Sequence, residues 1–198
     1  MSDKTFISPE SLLRDSYRLA AKVISSGFRP NFIVGVWRGG TPVGIAVQEL
    51  FDYYGLHCDH IAIRTSSYFG IDKTDKTVRV HGLDYIIKNV NSEDSLLIVD
   101  DVFDSGRSIM AIIDTLQRKA RKNTPDDIRV ATAYYKPERN TSSRVPDYYV
   151  HETEDWLVFP HEMSGLSRAE VGTGRPWISE ILTPLDTQLK GLGVEVPE

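Results

Sequence analysis

The sequence predicts an α/β fold: a doubly wound, mainly parallel sheet with helices on both faces. Three observations predict it. Strand-like apolar segments alternate with helical segments along the 198 residues, the order that a parallel sheet with crossover helices requires. The runs "FIVGVW" and "SLLIVD" read as buried strands. The turns after "FIVGVW", "LLIVD" and "ATAYY" hold the glycines and charged residues, and open parallel sheets take their ligands at that end.

The elements follow in order. After Ser8-Pro9-Glu10, apolar residues at Leu12, Leu13, Leu19, Ala20, Val23 and Ile24 are spaced for an amphipathic helix, with Ser8 as its cap and Gly27 as its stop. "NFIVGVW" is the next strand, and after "RGGT" a helix runs from Pro42 to Tyr54 and ends at Gly55. "HCDHIAIRTSSY" reads as a strand. "FGIDKTDKTVRVHG" lacks a convincing buried face and reads as a mobile loop or a loosely paired hairpin. A short helix around Leu83–Val90, the strand "SLLIVD", a helix from about Arg107 to Arg121 and the strand "IRVATAYY" complete the alternation. "PDYYVHETEDWLVFPHE" holds two short strand-like pieces, and the tail after Gly172 is weakly patterned and reads as partly disordered.

A chain of this length with 40% hydrophobic residues can bury one good-sized core, so one domain over residues 1–198 is expected. No apolar run reaches a membrane span, and "MSDKTFISPE" lacks the pattern of a signal peptide, so a cytoplasmic protein without a membrane partner is expected. A net charge of −5 argues against a general nucleic-acid binder and favours a small-molecule substrate. The lone Cys58 can form no internal disulfide and reads as a core thiol. His57 and His60 fall on opposite faces of a strand, which disfavours a shared zinc.

The stretch "LLIVDDVFDSGRSI" carries the main chemistry. Asp104-Ser105-Gly106-Arg107-Ser108 immediately precedes a helix, whose free N–H groups suit a phosphate monoester. Asp100 and Asp101 suit the vicinal hydroxyls of a sugar, or hydrated Mg²⁺. Together they point to a ribose 5-phosphate. One aspartate alone would read as a helix cap; three beside this turn favour a ligand site. Arg38, Gly39 and Gly40 in "WRGGT" form a second anion turn, weak by itself, which with the first suggests phosphates at both ends of a sugar. Lys136 either projects into the same crevice or is a surface lysine. Trp156 either packs in the core or offers a flat face to a base.

"LLIVDDVFDSGRSI" resembles the phosphoribosyl-pyrophosphate (PRPP) signature of type I phosphoribosyltransferases: an apolar strand, two acids, two apolar residues, then Asp-Ser-Gly and a hydroxyl residue. "VGVWRGGTPVGIAVQEL" resembles the pyrophosphate loop and helix of the purine members. "TSSYFGIDKTDKTVRVHG" is similar to their mobile loop, with Ser67-Tyr68 at its Ser-Tyr pair. "ATAYYKP" places Lys136 where the 6-oxopurine enzymes keep a lysine, and "DWLVFPHEM" is similar to the base-binding hood of bacterial xanthine-guanine phosphoribosyltransferases. The resemblance spans roughly residues 31–163, and divides the domain into a core of about 28–136 and a hood of about 137–165 with the tail.

The resemblance implies a role for each position. Ser105, Gly106, Arg107 and Ser108 cradle the 5′-phosphate, Asp100 and Asp101 hold the ribose and Mg²⁺, directly or through water, and Arg38, Gly39 and Gly40 bind pyrophosphate. Lys136 donates to O6 of a purine, Trp156 stacks on it, the Leu157 carbonyl accepts from it, and Glu162 lies beside the base and metal. Asp104 is the catalytic acid–base group. The implied reactants are PRPP and a purine base, hypoxanthine, guanine or xanthine. The products are a nucleoside 5′-monophosphate and pyrophosphate, and the implied assembly is a homo-oligomer, dimer or tetramer. Relatives often carry a cis peptide where this chain has Trp37-Arg38.

Three departures stand out: Arg107 replaces Gly or Lys, Ser105 and Ser108 replace threonines, and Glu162 replaces Asp. Three rival readings are disfavoured. A signalling receiver domain would open with its acidic strand, whereas about a hundred residues precede this one. A PRPP-sensing regulator needs no base pocket, and "YYKP" with the tryptophan hood disfavours an adenine or pyrimidine enzyme.

Overall fold

The computed structural model describes residues 4–69 and 76–196, without the side chains of 67–69 and 76–77. Its main sheet has six strands in the order β4-β3-β2-β5-β6-β7. They are β2 (Phe32–Trp37), β3 (Asp59–Phe69), β4 (Lys76–His81), β5 (Ser95–Phe103), β6 (Asp127–Tyr135) and β7 (Tyr148–Glu152). Every pairing in it is parallel except β3 with β4. This is the predicted mainly parallel α/β sheet.

Both faces are covered, which is why β5 is continuously apolar from Leu96 to Val99 rather than alternating. Leu97 and Val99 pack with α1 (Pro9–Ser25) and α2 (Gly40–Tyr53), while Leu96 and Ile98 pack with α3 (Asp84–Asn89) and α4 (Arg107–Ala120). Helix α1 begins where expected: the Ser8 hydroxyl accepts from the Ser11 amide at 3.0 Å, and Pro9 has no N–H to leave unsatisfied. Its inner face, Leu12, Leu19, Ala20 and Val23, is buried. Each such side chain removed from water contributes about 1.5–3 kcal/mol, alanine less.

Of the two readings of the polar stretch after Tyr68, the structure shows the hairpin. Strands β3 and β4 pair antiparallel, Arg64 opposite His81 and Thr65 opposite Val80. Val78 and Val80 are half-buried while Arg79 and His81 are exposed, so this edge strand alternates and has only one covered face. Residues 70–75, the centre of the expected mobile loop, lie outside the described residues, as do the side chains of Ser67 and Tyr68.

The two strand-like pieces are β7 and β8 (Trp156–Val158), of which β8 lies outside the main sheet and pairs in parallel with β1 (Lys4–Phe6), a three-residue strand too short to announce itself by periodicity. One expectation is corrected: the tail is ordered into α5 (Arg168–Gly174), a 3₁₀ turn and α6 (Ser179–Gly191). Helix α5 starts on a capping box in which Ser167 and Glu170 exchange side-chain and backbone hydrogen bonds. Helix α6 buries none of its residues and carries Pro184 internally, hence its weak pattern. No helix among the described residues is long and apolar enough to cross a membrane.

Candidate active site

The carboxyl ends of β2, β5 and β6 open into a cavity of about 380 Å³ whose far wall is the segment around β8. It brings together Arg38, Gly39, Asp100, Asp101, Asp104 and Lys136 with Trp156, Leu157 and Glu162, residues spread over more than a hundred positions of sequence. A smaller cavity of about 80 Å³ adjoins it, sharing Asp100, Val102 and Asp104 and lined further by Ser105, Gly106, Arg107 and Ser108. The two anion turns and the acid pair therefore form one continuous site.

The "RGG" turn presses onto the end of β5. A β-carbon on Gly40 would lie 2.4 Å from the Val99 carbonyl oxygen and 2.7 Å from the Asp100 Cα, and one on Gly39 would lie 1.8 Å from Asp101 Oδ2. Gly40 is required by its close approach to backbone, not by a left-handed conformation, while Gly39 faces the Asp101 carboxylate. The preceding Trp37–Arg38 peptide is cis. In the smaller cavity Gly106 has φ 75°, with the loop at Ser142 packed against it, and α4 starts there with no side chain capping its amides. Those free N–H groups and the positive end of the helix dipole suit a phosphate.

Asp100 and Asp101 are adjacent and share one charge problem. Enclosure by the surrounding chain, then the neighbouring Asp101 charge, push the Asp100 carboxyl well above the usual carboxylate range. Amides of Asp101 and Gly40 donate to it and oppose the shift. A second positive charge or a donating diol would relieve this repulsion. Among the described residues no three His, Cys, Asp or Glu side chains gather as metal ligands. Two carboxylates with room for phosphate oxygens and water fit Mg²⁺, which prefers that kind of partial protein shell.

Lys136 is 5% exposed, not a surface lysine, and its Nζ donates to the Asp155 carbonyl at 2.6 Å. An ammonium has three donors, so the cavity side of this buried group is left to a ligand acceptor. Trp156 is 53% exposed, which removes the core reading and leaves its ring face open. Glu162 lines the cavity, yet one carboxylate oxygen accepts from the Phe159 amide at 3.0 Å while its own amide donates to the Phe159 carbonyl. It thus clasps the turn that carries it. Arg175, buried in the tail, donates to the carbonyls of Phe159 and Glu162, both at 2.6 Å, and holds that turn from behind.

Three site residues escaped the sequence reading. Arg139 Nε lies 3.0 Å from Asp104 Oδ1. His161 Nε2 lies 3.4 Å from Asp101 Oδ2, and its ring stacks on Phe159 with centroids 5.7 Å apart. Arg175 reaches the site through the hood. Only the spacing of Arg139 three residues after Lys136 was a usable signal. Cys58 lies elsewhere; burial, then Asp52 and Asp59, raise its thiol to about 11, so it is no nucleophile at neutral pH.

A family model described as a phosphoribosyl transferase domain matches residues 8–168. Among solved structures, the chain is similar to the purine phosphoribosyltransferase of Pyrococcus horikoshii Ot3, at 27% identity and TM-score 0.63, covering 83% of this chain and 97% of that one. It shares its fold with a hypothetical protein of Neisseria gonorrhoeae with bound ppGpp, at 18% identity and TM-score 0.67, over 83% of this chain and 92% of that one. The xanthine-guanine-hypoxanthine phosphoribosyltransferase of Helicobacter pylori also shares it, at 21% identity and TM-score 0.58, over 79% and 92%. No curated protein matches the sequence. With a family model over most of its length and the signature residues gathered in one cavity, the chain belongs to the phosphoribosyltransferase family of transferases.

Proposed function

We propose that the protein transfers the phosphoribosyl group of PRPP to a 6-oxopurine, hypoxanthine, guanine or xanthine, and so serves purine salvage. The observation that carries this is the buried ammonium of Lys136 in the same cavity as Asp100, Asp101 and the open face of Trp156. A buried donor favours a base with an acceptor at the 6-position and rejects adenine, which would leave it unpaired. The purine activity named for the Pyrococcus relative supports the same substrate class.

Each residue has a task in that reaction. The amides of Ser105 to Ser108 hold the 5′-phosphate, and Asp100 and Asp101 hold the ribose hydroxyls and Mg²⁺. Arg38 and the Gly39 amide bind the pyrophosphate group while the Gly40 amide, turned to Asp100, holds the loop against β5; Trp156 stacks on the purine, and the Leu157 carbonyl accepts from its N–H or amino group. The bond from C1′ to the pyrophosphate oxygen breaks as a purine nitrogen bonds to C1′. The electron pair leaves with pyrophosphate, where Arg38 and the Gly39 amide meet the growing negative charge. Mg²⁺, when bound, supplies further positive charge there. Asp104 accepts the proton that the purine nitrogen loses.

An assay with PRPP, Mg²⁺ and a panel of hypoxanthine, guanine, xanthine, adenine and uracil tests the reading. Nucleoside monophosphate is expected with one or more oxopurines and not with adenine or uracil. PRPP binding without turnover of any base would instead indicate a PRPP-sensing regulator. A Lys136→Met variant is expected to lose most oxopurine turnover while narrowing the gap to adenine.

A further inference from the structure

A second cavity lies between β4 and α4, with a volume of about 780 Å³, within the range of small-molecule sites. Its rim is cationic: Arg79 from the hairpin, and Arg107, Arg118 and Lys119 from the helix. Its floor is apolar, with Val80 and Met110 among the residues lining it. Lys119 pairs with Asp84 at 3.2 Å, and Arg107 and Arg118 on the same helix outnumber Asp114 by about one positive charge. That surplus is concentrated on a chain whose net charge is −5. Among the described residues Arg107 and Arg118 make no ion pair. A solvated basic helix face stands alone; here the hairpin lines the other side of the groove and adds Val78 and Val80 to its lining.

Arg107 also lines the smaller cavity at the start of α4. One residue, Arg107, therefore borders both the 5′-phosphate cradle and the cationic groove.

We propose that this groove is a second anion site, for a nucleoside polyphosphate whose phosphates meet Arg107 and Arg118 and whose base lies on the apolar floor. Its occupant competes with the cradle for Arg107 and so weakens PRPP binding; by reciprocity PRPP weakens the occupant to the same degree. The competition rests on the PRPP reading above, whereas occupancy of the groove does not.

Calorimetric titration with ATP in the absence of PRPP tests the site. Arg118→Glu, a substitution at an exposed position, is expected to weaken ATP binding about tenfold or more, the loss of a charge-assisted contact. It should leave thermal unfolding unchanged. Arg38→Ala, in the active site, is expected to leave ATP binding within about twofold. No ATP binding, or loss in Arg38→Ala with none in Arg118→Glu, overturns the site. Equal affinity for tripolyphosphate overturns the role of the floor, and binding only of a longer single-stranded RNA overturns the small-ligand assignment. In turnover assays ATP should raise the PRPP KM of the wild type and not of Arg118→Glu. An unchanged KM in a protein that binds ATP at the groove overturns the competition alone.

Discussion

Arg139 Nε lies 3.0 Å from Asp104 Oδ1, so the carboxylate proposed to accept the purine proton already has a cationic partner. Both side chains are partly exposed, which keeps the pair weak and exchangeable. A ligand entering the cavity can share or displace the guanidinium without a large penalty. Asp104→Asn is expected to lower kcat by about 10²-fold or more, with a smaller change in the KM for PRPP. Arg139→Ala is expected to lower kcat far less. Steady-state kinetics on both variants check this; an unchanged kcat in Asp104→Asn removes the proton-transfer role.

Gly40 tests the close approach of the pyrophosphate turn to β5. A methyl group there meets backbone atoms of Val99 and Asp100, which cannot swing aside. Gly40→Ala is expected to destabilise the protein by about 1–3 kcal/mol, seen as a fall of several degrees in Tm, and to weaken PRPP binding. Full retention of both in calorimetry and binding assays would show that the turn is looser than its contacts imply.

The raised pKa of Asp100 has a pH signature of definite sign. Above the ordinary value of 3.8 and below its raised value, the group is protonated in the fold and ionised in the unfolded chain. The folded state then binds more protons, so its stability falls as pH rises through that interval. As pH rises above the ordinary carboxylate range, the wild type should lose stability relative to Asp100→Asn, which lacks the titrating group. A bound divalent cation offsets the loss, so Mg²⁺ should raise Tm more at about pH 8 than at about pH 5. Thermal unfolding over that range checks both statements, and a Mg²⁺ shift independent of pH would contradict the second.

Arg175 holds the turn of the hood from the tail. Arg175→Met keeps much of the bulk over Phe6, which the guanidinium faces at 5.8 Å, but takes one of two donors from the buried Phe159 carbonyl and the side-chain donor from the part-buried Glu162 carbonyl. The expected cost is about 1–3 kcal/mol in stability. In enzyme that remains folded, the KM for the base should rise several-fold while that for PRPP stays near the wild-type value. Equal changes in both would mean that the damage is not confined to the hood.

The order of strands and helices, the two anion turns and the acid pair were all legible in the sequence, because each rests on neighbours within a few residues. Apolar runs such as Leu96–Val99 reflect burial on two faces, and a glycine turn followed by a helix is a local pattern. Where the reading left alternatives for Lys136 and Trp156, only long-range packing decided between them. Whether a lysine is buried depends on what covers it, here the segment around Asp155. The pairing of β1 with β8, the anchoring of the tail by Arg175 and the contacts of Arg139 with Asp104 and His161 with Asp101 came from the tertiary structure alone. Each joins residues whose separation or brevity leaves no periodic trace. The sequence by itself determined which chemistry the strand ends carry; the fold decided how those ends are wired together, because hydrogen bonds and ion pairs follow distance in space, not distance along the chain.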